Sequence, residues 1–185
     1  MISATDFRKG LKITIDGEPY EVIDFQLVHL GRGRGHVRSR LKNLKTGAVM
    51  EKTFDSSAQF EEPDLAKQRM QYLYESQGEY FFMNNETFEQ VSISEQLLGE
   101  TRYYLIEGET YEILFFEGLP IYVNLPPSEI FTVTYTEPGI KGDSVTNIMK
   151  EAILQTGLKI KVPLFINVGD KVKVDTRTGE YIGRA

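Results

Sequence analysis

The sequence predicts an all-β protein made of three small barrels, and three observations support this prediction. Short runs of alternating apolar and polar residues recur along the chain, separated by two-residue turn signals such as Asp16-Gly17. Only one short segment has the signals of a helix, with Ser94 as its cap and Gly99 as its stop. Prolines at Pro63 and at Pro126-Pro127 interrupt the strand pattern. The expected units are residues 1–64, 65–127 and 128–185.

The first unit is expected to be a barrel of about five strands. Its predicted strands cover residues 11–15, 20–28, 37–44 and 49–54. The second and third of these form a long hairpin, because a glycine-rich tip joins them. Val37, Ser39 and Leu41 are expected on one face of the third strand. Arg38, Arg40 and Lys42 are then expected on the opposite face, where they form a basic row.

The second and third units both have the strand spacing of an OB-type barrel. In the second unit, the predicted strands cover residues 70–74, 80–83, 103–106, 111–116 and 121–125, with the short helix in the middle. In the third unit, they cover residues 130–135, 158–162, 171–175 and 180–182, with a loop over residues 139–149. Units of this size are marginally stable alone, so we expect them to support one another.

The net charge is −6, but the charges are unevenly distributed. Residues 1–52 contain ten basic and six acidic residues, whereas residues 53–128 contain three basic and fourteen acidic ones. Residues 129–185 contain eight basic and seven acidic residues. The basic first unit is therefore the expected contact with a polyanion, because local patches decide where phosphate binds.

The hairpin tip alternates Gly31, Gly33 and Gly35 with Arg32 and Arg34. Glycine lets a backbone approach a partner closely, and arginine presents a planar charged fork that suits phosphate. The tip is thus typical of an element that places a cationic side chain in a narrow polyanionic site, and the basic row is a second candidate for RNA contact. The alternatives are an ordinary solvated turn and a solvated sheet face.

The sequence contains no pattern for an enzyme active site, a metal site or a cofactor. It has no cysteine, which excludes thiolate ligands and a cysteine nucleophile and fits a cytoplasmic protein. The two histidines, His29 and His36, have no neighbouring acid or thiol that would complete a metal site. The chain has no run of 18 apolar residues and no signal sequence, so no membrane association is expected. These observations favour a binding factor.

Several motifs in this order and spacing resemble those of bacterial translation elongation factor P, along the whole chain. They are Asp6-Phe7-Arg8, Asp16-Gly17-Glu18-Pro19-Tyr20, Lys42-Asn43-Leu44-Lys45-Thr46-Gly47, Glu51-Lys52-Thr53-Phe54, Phe82-Met83-Asn84-Asn85-Glu86-Thr87, Lys150-Glu151-Ala152, residues 157–169 and Asp175-Thr176-Arg177-Thr178-Gly179-Glu180-Tyr181. The resemblance implies an L-shaped monomer, with a KOW- or SH3-like barrel followed by two OB-fold barrels. It also implies a factor that binds both ribosomal subunits beside peptidyl-tRNA and relieves stalling at consecutive prolines.

The family's tip residue falls on Arg32, which the resemblance places at the CCA end of the tRNA. Many members carry a modified lysine there, and some with arginine are rhamnosylated, which implies an arginine-modifying glycosyltransferase as a partner. Leu30 and Arg34 depart from the usual arginine-type loop, so an unmodified Arg32 stays an alternative. In the third unit, Gly142-Asp143-Ser144 falls where the family has a loop that faces the small subunit and the exit-site codon; a plain turn is the alternative there.

Two further functional alternatives stay open. One is the paralogous elongation factor P-like protein, whose tip and C-terminal signature fit this sequence less well. The other is a generic OB-fold protein that binds single-stranded nucleic acid, which would bind free oligonucleotides tightly.

Overall fold

The computed structural model describes residues 1–29, 31–139 and 148–185, which form three main β-sheets. Every strand pairing in these residues is antiparallel. No helix in this part of the chain has the length and apolar character needed to cross a membrane. The domain boundaries given above remain predictions.

The first sheet has four strands in sequence order, and a two-stranded pair lies beside it. Its core contains Ile13, Val22, Val37 and Leu41, none of which is exposed to solvent. The alternation predicted for the hairpin explains this core, because every second residue of an antiparallel strand faces the same side. The strands are β1 (Ile2–Ser3), β2 (Lys12–Ile15), β3 (Glu18–Val28), β4 (His36–Asn43), β5 (Val49–Asp55) and β6 (Gln59–Phe60).

The second and third sheets each have five strands with the same topology. In both, the first strand lies in the middle, between the second and fourth strands, and the third and fifth strands form the edges. This is the arrangement expected for two OB-type barrels. The second sheet contains β7 (Ala66–Ser76), β8 (Glu79–Met83), β9 (Gln90–Ser94), β10 (Thr110–Phe116) and β11 (Leu119–Asn124). The third contains β12 (Ser128–Thr136), β13 (Met149–Leu154), β14 (Lys159–Pro163), β15 (Lys171–Asp175) and β16 (Tyr181–Arg184).

The predicted short helix is confirmed as α1 (Glu95–Leu98). The Ser94 hydroxyl accepts a hydrogen bond from the backbone N–H of Leu97, and Gly99 ends the helix with a φ of +56°.

The strand predicted over residues 103–106 is wrong. A 3₁₀ helix over Gly99–Tyr104 follows α1 directly and carries the chain out of the second sheet. Tyr103 and Tyr104 instead pack against the core of the third sheet. The aromatic and apolar residues alternate here because they are buried between two barrels, and they do not pair as a strand. The prediction also missed β13, whose first residue lies at the end of the loop predicted over residues 139–149.

The first and second sheets meet in a small apolar cluster. Leu44, at the end of the hairpin, is 1% exposed and packs with Leu114, Phe116 and Ile121 of the second sheet. Burying a leucine side chain contributes about 1.5–3 kcal/mol, so this contact holds the hairpin base against its neighbour. Beside the cluster, the Lys12 ammonium lies 4.4 Å from the centroid of the Tyr122 ring.

The second and third sheets meet around polar groups. The Tyr111 hydroxyl donates to Glu129 Oε1 at 2.7 Å and accepts from the Ile106 N–H at 2.9 Å. The Thr176 hydroxyl donates to the carbonyl oxygen of Pro126, and the Thr156 hydroxyl donates to that of Tyr103. These hydrogen bonds satisfy backbone groups in the segments that connect the strands, which would otherwise be costly to bury.

Candidate functional site

The hairpin of β3 and β4 positions the candidate site. Val28 pairs with His36 at the last step of the register, and residues 29–35 form the tip beyond it. Strand β5 pairs with the other edge of β4 along its whole length, from His36–Asp55 to Lys42–Val49. The hairpin is therefore supported on one side up to the point where the tip begins.

The tip presents Arg32 to solvent. Gly31, Arg32, Gly33 and Arg34 are all exposed, and Gly31 has a φ of +46°. This left-handed conformation favours glycine because a side chain there is strained. In the part of the chain that the structure describes, neither arginine has a carboxylate within 4.0 Å. Both guanidinium groups thus keep their donors available for a partner.

The neck of the tip is narrow because two segments approach closely at Gly35. A Cβ atom added there would lie 3.2 Å from Nδ1 of His29 and 3.5 Å from Oγ of Ser56. The Ser56 N–H also donates to the Gly35 carbonyl oxygen at 2.9 Å. Glycine at this position therefore lets the end of β5 and both arms of the hairpin pack together.

Asp55 distinguishes the two arginines. The pKa of its carboxyl group lies below the usual value, chiefly because the Ser57 hydroxyl and N–H donate to it, and further because Arg34 and His36 lie nearby. Arg34 therefore lies near a carboxylate of the first sheet, although in the described part of the chain the two groups form no ion pair. Arg32 lies farther along the tip and is the better candidate to meet a phosphate group.

The predicted alternation along β4 is confirmed, but the basic row is less positive than the sequence indicates. Val37, Ser39 and Leu41 are buried, whereas Arg38 and Arg40 are exposed. Arg38 forms an ion pair of 3.3 Å with Glu51. Arg40 lies between Glu51 and Asp24 in the register. Neighbouring acids thus offset part of the charge that the row would present to RNA.

Lys42, the third member of the predicted row, has a different environment. Its side chain is half-buried, and its ammonium donates to the carbonyl oxygen of Leu97, in the helix α1 that follows β9 of the second sheet, at 3.0 Å. Glu21 lies opposite Lys42 in the register. Burial raises the pKa of Glu21, and the charges of Lys12 and Lys42 act against this rise. Lys42 therefore links the two barrels, which sequence alternation alone does not reveal.

Replacing Lys42 with methionine tests this structural role. We expect the Lys42→Met variant to lose about 1–3 kcal/mol of unfolding free energy, because the Leu97 carbonyl loses its donor. We also expect the salt dependence of RNA binding to stay unchanged. Denaturant unfolding and binding measured at several salt concentrations check both. A lower salt dependence with unchanged stability would instead support the RNA contact predicted from the sequence.

The remaining predicted site residues are Gly142, Asp143 and Ser144, and these lie outside the described residues. Among the residues that are described, no group of three or more His, Cys, Asp or Glu side chains is arranged to hold a metal ion.

Comparisons with known proteins cover all three sheets. Family models match in three consecutive segments: the elongation factor P KOW-like domain over residues 3–60, the elongation factor P OB domain over residues 65–123, and the elongation factor P C-terminal domain over residues 130–184. These matches confirm the predicted all-β fold class. Among solved structures, eukaryotic translation initiation factor 5A from Methanococcus jannaschii is similar in fold, with a TM-score of 0.50, 19% identity, and coverage of 66% of this chain and 90% of that one.

The sequence relatives match over their full length. Elongation factor P of Maridesulfovibrio salexigens is 48% identical over 184 residues, which cover 100% of this chain and 99% of the relative. Elongation factor P of Thermotoga maritima is 48% identical over 185 residues, which cover 100% of both chains. The chain therefore belongs to the elongation factor P family.

Proposed function

We propose that this translation elongation factor binds the ribosome beside peptidyl-tRNA and stimulates peptide-bond formation where consecutive prolines stall synthesis. The observation that carries the proposal is the exposed Arg32 at the end of a long hairpin whose base is held by β5 and by the Leu44 cluster. A supported arm with a cationic end suits a narrow site lined by phosphates, such as the one around the CCA end of a tRNA.

The proposed mechanism is positioning. Proline is a constrained substrate, so its amine and the peptidyl ester seldom meet in a reactive geometry. Holding two reacting ends in the right orientation can remove up to about 7–11 kcal/mol from a barrier. A guanidinium that contacts the tRNA backbone restricts the CCA end without donating or removing a proton. No acid or base from this chain is needed for such a step.

The same exposure makes Arg32 a candidate for modification. Its guanidinium is accessible to a glycosyltransferase, and a sugar added there would extend the arm and supply further hydrogen-bond donors. The alternative is a bare guanidinium that acts alone. The mass of the tip peptide, measured on protein purified from its own source, separates the two: an added deoxyhexose on Arg32 supports the modified form.

We propose that the factor works as a monomer in the cytoplasm, where bacterial ribosomes translate. Its third domain would then lie towards the small subunit, with Gly142, Asp143 and Ser144 near the exit-site codon.

A reconstituted translation system tests the function. We expect the factor to accelerate formation of a Pro-Pro bond strongly and to leave bonds between unconstrained residues nearly unchanged. Peptide yield from single-round synthesis on two matched messages, with and without the factor, measures this difference. Equal effects on both messages would contradict the proposal. Tight binding to free single-stranded oligonucleotides, with no effect on synthesis, would favour the alternative hypothesis of a generic OB-fold protein that binds single-stranded nucleic acid.

A further inference from the structure

A basic cleft lies at the junction of the first and second sheets, on residues that the sequence motifs do not assign to RNA contact. It has a volume of about 520 Å³. Four cationic side chains and one carboxylate line it: Arg8, Lys9, Lys12, Lys67 and Glu62. This excess of positive charge occurs in a chain whose net charge is −6. The cleft is thus a local anion-attracting surface on an acidic protein.

Two firmly held segments of the chain build this cleft. The turn over residues 8–11 is fixed to β3, because the Gly10 N–H donates to the Val22 carbonyl and the Val22 N–H donates to the Leu11 carbonyl, both at 2.8 Å. The other wall begins with β7, where Lys67 pairs with Leu114. Leu114 packs on Leu44, so the junction cluster holds the two walls together.

Two of the four cationic side chains in this cleft form neither an ion pair nor a cation–π contact with another described residue of the protein. Lys9 forms an exposed pair of 3.7 Å with Asp24, and Lys12 lies over Tyr122. Arg8 and Lys67 are exposed, and no carboxylate among the described residues lies within 4.0 Å of either one. They come from different walls, so a polyanion that contacts both would lie across the cleft.

We propose that this cleft binds the phosphate backbone of structured RNA, as a second anchor that acts independently of the hairpin tip. The choice of RNA rests on the proposed function. Phosphates on a nucleic-acid backbone bind Lys and Arg from several directions and carry the sequence-independent part of its affinity. A nucleic-acid backbone that lies across the cleft would present phosphates to Arg8 on one wall and to Lys67 on the other.

The spacing from the tip allows one RNA molecule to contact both places. The cleft adjoins Val22, and the strand rises about 3.4 Å per residue, so Val28 at the base of the tip lies about 20 Å away. Two contacts on one ligand add binding strength, because the second contact forms at a high effective concentration. The cleft would then determine the affinity of the factor, whereas Arg32 would determine the rate of Pro-Pro bond formation after binding.

The first test removes single charges from the full-length protein. We expect Arg8→Gln and Lys67→Gln each to weaken binding to ribosomes carrying peptidyl-tRNA several-fold, and to lower the slope of log Kd against log salt by about one. Arg69→Gln is the matched control, because Arg69 is exposed on the same face of β7 and does not line the cleft. The control is expected to keep the wild-type slope.

The rate of Pro-Pro bond formation tests the second anchor separately from the proposed function. At saturating factor, the cleft variants are expected to reach the wild-type rate, whereas a tip variant is not. Unchanged Kd and slope in both cleft variants would overturn the anchor, even if Arg32 proves essential. The opposite result is also informative. If the factor shows no proline dependence but the cleft variants have a lower slope of log Kd against log salt, the second anchor is supported and the proposed function is contradicted.

A crosslink identifies what occupies the cleft. The chain has no cysteine, so Glu62→Cys supplies a single attachment point for a photo-reactive probe within it. On ribosomes carrying peptidyl-tRNA, we expect the probe to crosslink to RNA. Crosslinks to ribosomal protein alone would overturn the proposal and show that a protein segment lies at the cleft.

Discussion

We expect Arg32→Ala to slow Pro-Pro bond formation by about ten- to a hundredfold at saturating factor, and to change other peptide bonds little. The estimate follows from a hydrogen bond to a charged group, which contributes about 1.5–3 kcal/mol, since each 1.4 kcal/mol changes a rate about tenfold. The side chain is exposed, so its loss should not alter folding. Single-turnover synthesis of a Pro-Pro bond and of a proline-free control bond measures the effect.

Two further variants show whether the position or only the charge of Arg32 matters. Arg34→Ala removes an equal charge two residues along the same tip, but Arg34 lies near the Asp55 carboxylate, so we expect a smaller loss. Arg32→Lys keeps the charge and loses the planar fork, and is expected to lie between wild type and Arg32→Ala. If Arg32→Ala slows the formation of all peptide bonds equally, the positioning mechanism is contradicted.

The hairpins could be predicted from sequence because their signals are local. Asp16-Gly17 sets a tight turn, and alternation along β4 assigns each side chain to a face without knowledge of the rest of the chain. The 3₁₀ helix at Tyr103 and Tyr104 has no such local signal, because these rings are placed by the third sheet. Strand β13 was not predicted for a similar reason. Its buried face includes Lys150, a residue type expected at the surface, which is only 6% exposed. That burial depends on a hydrogen bond from the Lys150 ammonium to the distant Glu137 carbonyl oxygen.

The candidate site also combines features with local sequence signals and features that depend on long-range contacts. The exposed tip belongs to the first kind, because the pattern of glycines indicates it. The partner of Lys42 lies 55 residues away in the chain, and the two walls of the basic cleft come from residues 8–12 and 62–67. Proximity between such segments depends on how Leu44 docks two barrels, and no spacing in the sequence encodes that contact. Sequence therefore predicted the exposed tip better than the long-range contacts that hold the hairpin and the cleft in place.

Glu129 provides the largest expected pH effect on stability. Its side chain is 9% exposed, and in the described residues its Oε2 atom has no hydrogen-bond partner. Burial, with a further contribution from Glu109, raises the pKa of Glu129 to about 7 from an ordinary value of 4.5, although the hydrogen bond from Tyr111 opposes the rise. Because the folded state favours the protonated acid, this group stabilises the fold below about pH 4.5, and that contribution is lost as the pH rises through 7.

We expect Glu129→Gln to be about 3 kcal/mol more stable than wild type at pH 8 and close to it at pH 4.5, because one pKa unit corresponds to about 1.36 kcal/mol. Glutamine imitates the neutral acid, so the difference between the two proteins isolates this one ionisation. Denaturant unfolding followed by circular dichroism from pH 4.5 to 9 measures it. Tyr111→Phe removes the bond that lowers the pKa, so it should shift the midpoint of wild-type pH dependence upward. A stability difference that does not change with pH would show that Glu129 stays ionised, with water or another group at Oε2.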